Sequence, residues 1–264
     1  MSDGDAAENR KHLWSTGRYP SLAPNFLPAI ATLVDAAGLD PGDEVLDVGC
    51  GTGNVALTAQ QSGAHVVGVD LSREMLELAE RSAQLVADAD VDWVAGDAEA
   101  LPFASDRFDA ALSNFGHVFA PNSRVAGREL YRVTKPGGRV AFTAWSPNGV
   151  VGDLTEVFTT YVSDPPGDPW AHLRWGEPDF VREQYDGLAD LSVERRILGF
   201  RYVSPEHFWR DFAEEAGPLS PVVSRVEDER DRSRLREAAL SRLEEWFADN
   251  TVRVEYVQVR AVVE

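Results

Sequence analysis

The sequence predicts an α/β protein of the doubly wound kind, with a mostly parallel sheet carrying helices on both faces, and three observations lead there. Short Val-rich runs alternate with segments of helical periodicity through the first half of the chain, the rhythm that builds a parallel sheet. The first run, Glu44 to Val48, feeds a turn of alternating glycines, Gly49, Gly51 and Gly53, which opens a helix. The second run ends on an acid, Asp70, roughly twenty residues further on.

The elements follow in order. Glu44 to Val48, His65 to Val69, Asp92 to Ala95, Phe108 to Ser113 and Arg139 to Ala144 read as buried strands. Asn54 to Gln61, Ser72 to Val86 and Ser123 to Val133 carry apolar residues at helical spacing, and Ser72 with Glu74 and Glu77 suits a helix N-terminus. After Trp145 the rhythm changes to aromatic and proline-rich sequence, with the Pro/Gly punctuation of Ser163 to Pro169 as its most irregular part. Then come a strand-like Val193 to Tyr202, a helix from Pro205 to Glu215, another from Asp231 to Asp249, and an alternating run from Val252 to Val263. A length of 264 residues suits one domain, 1–264, with a core over about 40–146 and a cap with completion of the sheet over about 147–264.

Composition removes several classes of function. Cys50 is the only cysteine, so neither an intrachain disulfide nor a cysteine zinc cluster can form. His12, His65 and His207 fall in separate segments whose spacing suggests no metal site. The net charge of −19 disfavours nucleic-acid binding, which draws its affinity from cationic contacts to phosphate. Lys11 and Lys135 are the only lysines, a balance that suits either a high-salt cytoplasm or an Arg-rich proteome. With no signal-peptide run at Glu8 to His12 and no stretch long enough to span a bilayer, a soluble, cytoplasmic protein is expected.

The chemistry concentrates at Val45-Leu46-Asp47-Val48-Gly49-Cys50-Gly51-Thr52-Gly53. Glycines are needed where a ligand packs against a strand end, because a Cβ would block it and because tight strand-to-helix turns use angles other residues avoid. Asp70 can accept hydrogen bonds from both hydroxyls of a ribose. Alone, these features also fit a nicotinamide-dependent oxidoreductase, but the G-x-G-x-G spacing lacks the third glycine position of that fingerprint.

At this point the sequence resembles the class I S-adenosylmethionine (SAM)-dependent methyltransferases. The first motif of that family reads like Asp47 to Gly53, and the likeness continues through Asp70, Gly96-Asp97-Ala98-Glu99-Ala100-Leu101-Pro102-Phe103, Phe108-Asp109 and Lys135-Pro136-Gly137-Gly138. The resemblance implies a seven-stranded, Rossmann-like sheet whose last strand is antiparallel and inserts beside the fifth, with an N-terminal helical segment and a cap after the fifth strand. It implies SAM as cofactor, a small-molecule methyl acceptor, and contacts from Gly49, Cys50, Gly51, Asn54, Asp70, Leu71 and Met75. Asp97 and Ala98 would sit at the adenine, and Ser113, Asn114 and Phe115 along the methionine end. Trp14 to Tyr19 looks like a segment that folds over the cofactor, with Tyr19 near its carboxylate. For Asp47 two roles stand side by side, fixing the glycine turn or touching the ligand.

His117 follows the fourth strand's carboxyl end and is the best-placed candidate for a general base, if the acceptor needs one; packing is its other reading. Trp145, Trp170, His172, Trp175 and Phe180 could line a substrate pocket or form the core of the cap. Glu99 reads as a solvated helix-start acid, and Glu227 to Glu237 as a solvated, charge-laced helix start. A protein that binds SAM or S-adenosylhomocysteine without catalysis is the other class the motifs allow. The acceptor and the oligomeric state are not legible in the sequence.

Overall fold

The computed structural model describes residues 22–162, 165, 168–185, 188–215, 219 and 223–264. His12 and the Trp14 to Tyr19 segment, with its expected ligand contact at Tyr19, lie outside the described residues.

Among the described residues the strands form one eight-stranded sheet ordered β3-β2-β1-β4-β5-β8-β6, with β7 attached to β8. Strand β1 (Glu44–Val48) pairs in parallel with β2 (His65–Asp70) on one side and β4 (Phe108–Asn114) on the other, in the register Asp47↔Gly68 and Asp47↔Leu112. Strand β3 (Val91–Ala95) extends the sheet beyond β2, and β5 (Thr134–Trp145) extends it beyond β4. Strand order therefore reverses at β1, so the crevice outside the carboxyl ends of β1 and β4 is where an open α/β sheet binds its ligand.

The second half completes the sheet as the resemblance implies. Strand β8 (Thr251–Val263) lies antiparallel between β5 and β6 (Leu188–Arg201), pairing Thr143↔Gln258 and Trp145↔Tyr256 on one side and Arg195↔Val257 on the other. The addition to the seven expected strands is β7 (Phe247–Ala248), which pairs with the start of β8. Asp249 and Asn250 between them have φ of 52° and 56°, the pair of left-handed residues that a two-residue hairpin turn demands.

Among the described residues, five helices fall at or near the expected places, and Leu27–Ala37, Val150–Tyr161 and Pro178–Gln184 add three whose bounds the sequence does not predict. In α1 (Leu27–Ala37) and α2 (Asn54–Ala59) the apolar stripes Ala29, Ile30, Leu33 and Val55, Ala56, Ala59 are buried. Helix α3 (Arg73–Ala83) starts where Ser72 Oγ accepts from Met75 N at 3.2 Å, the N-cap bond that satisfies one orphan amide. Helix α4 (Ser123–Val133) buries Ala126, Gly127, Leu130 and Val133. The cap after β5 consists of α5 (Val150–Tyr161), a 3-10 turn at Leu173–Gly176 and α6 (Pro178–Gln184).

Helix α7 (Pro205–Trp209) runs on into a π-helical turn, Arg210–Glu215. Helix α8 (Glu229–Trp246) begins where Asp228 caps Arg230 and Asp231 through its carboxylate. One buried cluster joins α1, α2, α5, α7 and α8 to one sheet face through Ala110, Leu112, Ala141 and Trp145; the other joins α4, Trp175 and Val181 to the opposite face through Leu46, Val48 and Phe142.

Candidate functional site

The glycine turn is shaped by the groups around it. Gly49, Gly51 and Gly53 have φ of 69°, 53° and 83°, the left-handed region that favours glycine. A Cβ on Gly49 would stand 2.9 Å from Gly116 Cα, and one on Gly53 would stand 2.6 Å from the Trp93 ring. The turn is therefore wedged between the segment after β4 and a tryptophan from β3. The amides of Gly49 and Cys50 donate to Val69 O at 2.9 and 3.0 Å.

Asp70 ties this turn to the next helix. Its Oδ2 accepts from Gly51 N at 2.8 Å and its Oδ1 from Ser72 N at 2.9 Å. Burial holds its carboxyl above the usual range against these backbone bonds and a further one from Leu71. Asp47 lies deeper and is buried: Oδ2 accepts from Ala56 N at 3.1 Å, while Oδ1 has no partner. Of the two roles for Asp47, the geometry displays the bracing one, a carboxylate holding the first turn of α2. Burial pushes its carboxyl up to about 8, opposed by the Ala56 bond and reinforced by the charge of Asp70.

From the other side, Ser113 Oγ donates to Val48 O at 2.8 Å and accepts from His117 N at 3.0 Å, stitching the ends of β4 and β1 together. Asn114 Oδ1 accepts from Thr143 Oγ1 at 2.9 Å. Phe115 has a φ of 54° and stacks on Trp145 with ring centroids 3.9 Å apart.

The third wall is the loop after β3. Asp97 Oδ1 accepts from Glu99 N at 2.9 Å, and Gly96 N donates to Asp70 O at 3.0 Å. Helix α4 clamps this loop, with Glu129 accepting from Leu101 N at 2.8 Å and Arg132 donating to Phe103 O at 2.8 Å and Leu101 O at 3.1 Å. Glu99, expected to be merely solvated, accepts from Asn122 N at 2.9 Å and so joins the loop to the start of α4.

These walls border an open cleft of about 860 Å³, counting the space open to solvent. Of the residues singled out in the sequence, Gly49, Gly51, Asp70, Leu71, Met75, Asp97, Ala98, Asn114 and Phe115 line it. A smaller adjoining cavity is bounded by Phe26, Gly49, Cys50, Gly51, Thr52, Asn54 and Asn114. Asp47 and Ser113 border neither and act from behind, on the turn and on the strand ends. Gly116, Phe119, Ala120 and Pro121 also line the cleft; of these, sequence reading had only the Ser113 to His117 segment to suggest Gly116. The Cys50 thiol is buried and held well above its ordinary pKa by that burial, so it is unreactive.

His117 is not brought to the cleft. Its ring is buried, 4.7 Å from Phe142 and 4.8 Å from Trp175 edge-on, and neither nitrogen has a hydrogen-bond partner among the described residues. Burial pulls it down to about 3. The Ser113 Oγ bond to its amide turns the chain here, so Gly116 faces the ligand space and His117 packs below. Of the two readings of His117, this geometry displays the packing one. His117→Phe is expected to leave ligand affinity intact and to keep or raise the melting temperature, because two buried, unpaired nitrogens are removed; a drop in either, read by calorimetry, would restore a polar role. Trp175 and Phe180 likewise belong to the cap's core, whereas Trp145 and His172 back the cleft residues Phe115 and Phe119.

Comparison with known proteins agrees with this geometry. Residues 45–138 match the family described as "Methyltransferase domain". An uncharacterised protein of Mycobacterium tuberculosis is 32% identical over 255 residues, 95% of this chain and 93% of that protein. Demethylmenaquinone methyltransferase of Renibacterium salmoninarum is 39% identical over 130 residues, 49% of this chain and 52% of that enzyme. Among solved structures, the YcgJ protein of Bacillus subtilis superposes with a TM-score of 0.60 at 21% identity, covering 89% of this chain and 97% of that one. Residues 45–138 are therefore a methyltransferase domain, the sheet has the class I methyltransferase fold, and over nearly its whole length the chain belongs to one family with the mycobacterial protein.

The residues present suit SAM as cofactor. A carboxylate has about four acceptor sites, so Asp70, at the lip of the cleft, can receive ligand hydroxyls besides its backbone donors. Gly49 and Gly51 offer backbone without a Cβ at the strand end, and among the described residues no lysine or arginine lines either cavity.

Proposed function

We propose that this protein transfers a methyl group from SAM to a small-molecule acceptor. The reading rests on one observation above the others: residues from four separate sequence motifs, Gly49 and Gly51, Asp70, Asp97 and Ala98, Asn114 and Phe115, line a single cleft at the point where strand order reverses. When bound, SAM supplies an electrophilic methyl on a sulfonium. The chain's part is then alignment and exclusion of water. Asp70 accepts from the ribose hydroxyls, the Asp97–Ala98 loop holds the adenine, and the glycine turn with Asn54 receives the methionine end.

The apolar wall of Phe115 and Phe119, each backed by a second ring, suits a flat acceptor. The likeness to an enzyme named for a menaquinone precursor supports starting with quinols and phenols. Incubation with methyl-labelled SAM and a panel of phenols, quinols and amines tests the reading: label transfer to one class supports it, and saturable SAM binding with no acceptor methylated would favour a sensor.

The buried acids give the site a defined pH dependence. A carboxyl whose folded pKa of about 8 exceeds its unfolded value of 3.8 holds its proton more tightly in the folded chain. Its contribution to stability is intact below 3.8 and is lost as pH rises toward about 8. A cation in the cleft favours the ionised form, so SAM affinity is expected to rise as pH approaches about 8 and to level off above it. Titrations from pH 5 to 9 at fixed ionic strength check this, and Asp47→Asn should flatten the profile; a pH-independent affinity in the unaltered protein would contradict it.

A further inference from the structure

Thr143, on β5, takes no part in the motifs and borders neither cavity, yet it holds the cleft's most constrained corner. Its side chain is fully buried. The hydroxyl oxygen accepts from Phe115 N at 3.0 Å, and the hydroxyl donates to Asn114 Oδ1 at 2.9 Å. One oxygen therefore fixes two neighbouring residues at once, using the single proton and a lone pair that a threonine hydroxyl offers. Both bonds matter to the site. Phe115 has a φ of 54°, a conformation a bulky residue keeps only where its surroundings impose it. Trp145, two residues along the same strand, supports the ring of Phe115 from its other end.

Asn114 lines both the main cleft and the smaller cavity beside the glycine turn. It stands at the joint between the lobe that contains Asp70, Asp97 and Ala98 and the lobe that contains Thr52 and Asn54. With Oδ1 engaged by Thr143, the group that Asn114 offers at the joint is its Nδ2 donor.

We propose that Thr143 is a positioning residue for ligand binding: by holding Asn114 and Phe115 it sets the affinity for the part of the ligand that reaches past the nucleoside lobe. The inference rests on the SAM reading given above. It predicts a selective defect. S-adenosylhomocysteine extends across the joint, whereas 5′-methylthioadenosine carries the same nucleoside and lacks the amino-acid end. Thr143→Val keeps the shape and removes the hydroxyl, leaving the Phe115 amide and the Asn114 oxygen unpaired.

Calorimetric titration of both ligands into the unaltered protein, Thr143→Val, Thr143→Ser and Asn114→Ala provides the test. Thr143→Val and Asn114→Ala should each lose about tenfold in affinity for S-adenosylhomocysteine and stay within about twofold for 5′-methylthioadenosine, with Thr143→Ser restoring the unaltered values. Equal loss of both ligands in Thr143→Val would reduce Thr143 to a general support of the sheet and overturn the proposal, as would full affinity for both. If Thr143→Val does not fold, Asn114→Ala and Thr143→Ser decide by the same two criteria. If the unaltered protein binds neither ligand, the SAM reading itself has failed and this role falls with it.

Discussion

Replacing Asp70 by alanine is expected to weaken SAM binding by about 10- to 100-fold, since the loss of one hydrogen bond to a charged group costs roughly 1.5–3 kcal/mol and about 1.4 kcal/mol is a factor of ten. Two losses combine. The carboxylate that faces the cleft is removed, and the amides of Gly51 and Ser72 lose the acceptor that joins the glycine turn to the start of α3. Asp70→Asn separates the two, because its amide oxygen still accepts from one backbone amide while the charge is gone; it should fall between the alanine variant and the unaltered protein. Calorimetry with SAM reads the outcome, and an unchanged affinity in Asp70→Ala would remove Asp70 from the ligand site.

The largest expected effect on stability comes from Trp175→Ala. Trp175 is fully buried, 4.8 Å from His117, 5.4 Å from Phe142 and Phe180, and 6.0 Å from Tyr185 between ring centroids. Its six-membered ring covers Gly127 of α4, where an added Cβ would come within 2.6 Å of it. Emptying such a site costs about 3–5 kcal/mol, or a fall in melting temperature of roughly 10 °C for a chain of this size. A loss under about 1 kcal/mol in denaturant titration would mean that the cap is not packed on the sheet through this residue.

The sequence revealed the fold wherever local pattern and burial agree. The runs of β1, β2 and β4 are short and apolar because both sheet faces are covered there, and Ser123 to Val133 forms α4 with the expected bounds. Misjudged lengths have local causes. Pro136-Gly137-Gly138, which precedes the strand expected from Arg139, lies inside β5, accommodated by a register shift opposite Phe108 to Ala110. Strand β6 starts at Leu188, not Val193, because an irregularity between Ala189 and Ser192, with Asp190 at a φ of 51°, hides its alternation. Two-residue β7 has no periodicity to read.

The site divides in the same way. Residues whose backbone or charge meets the cleft, such as Gly49, Gly51, Asp70 and Asp97, announce themselves by type and spacing. For His117, sequence position gives nearness to a strand end but not the side to which the ring turns, which is toward Phe142 and Trp175. The Glu129–Arg132 clamp and Thr143 were invisible for another reason. A charged pair on a helix and a threonine in a strand each have an ordinary local explanation, and their bonds to distant loops arise only in the folded chain.

The central claim, that the cleft is a SAM site, is tested most directly by calorimetric titration of the purified protein with SAM and, separately, with NADH, in low and in high salt. Saturable binding of SAM at one site per chain, with no heat from NADH, is the predicted result. Saturable binding of NADH without SAM would contradict it and would mean that the turn from Gly49 to Gly53 serves a dinucleotide.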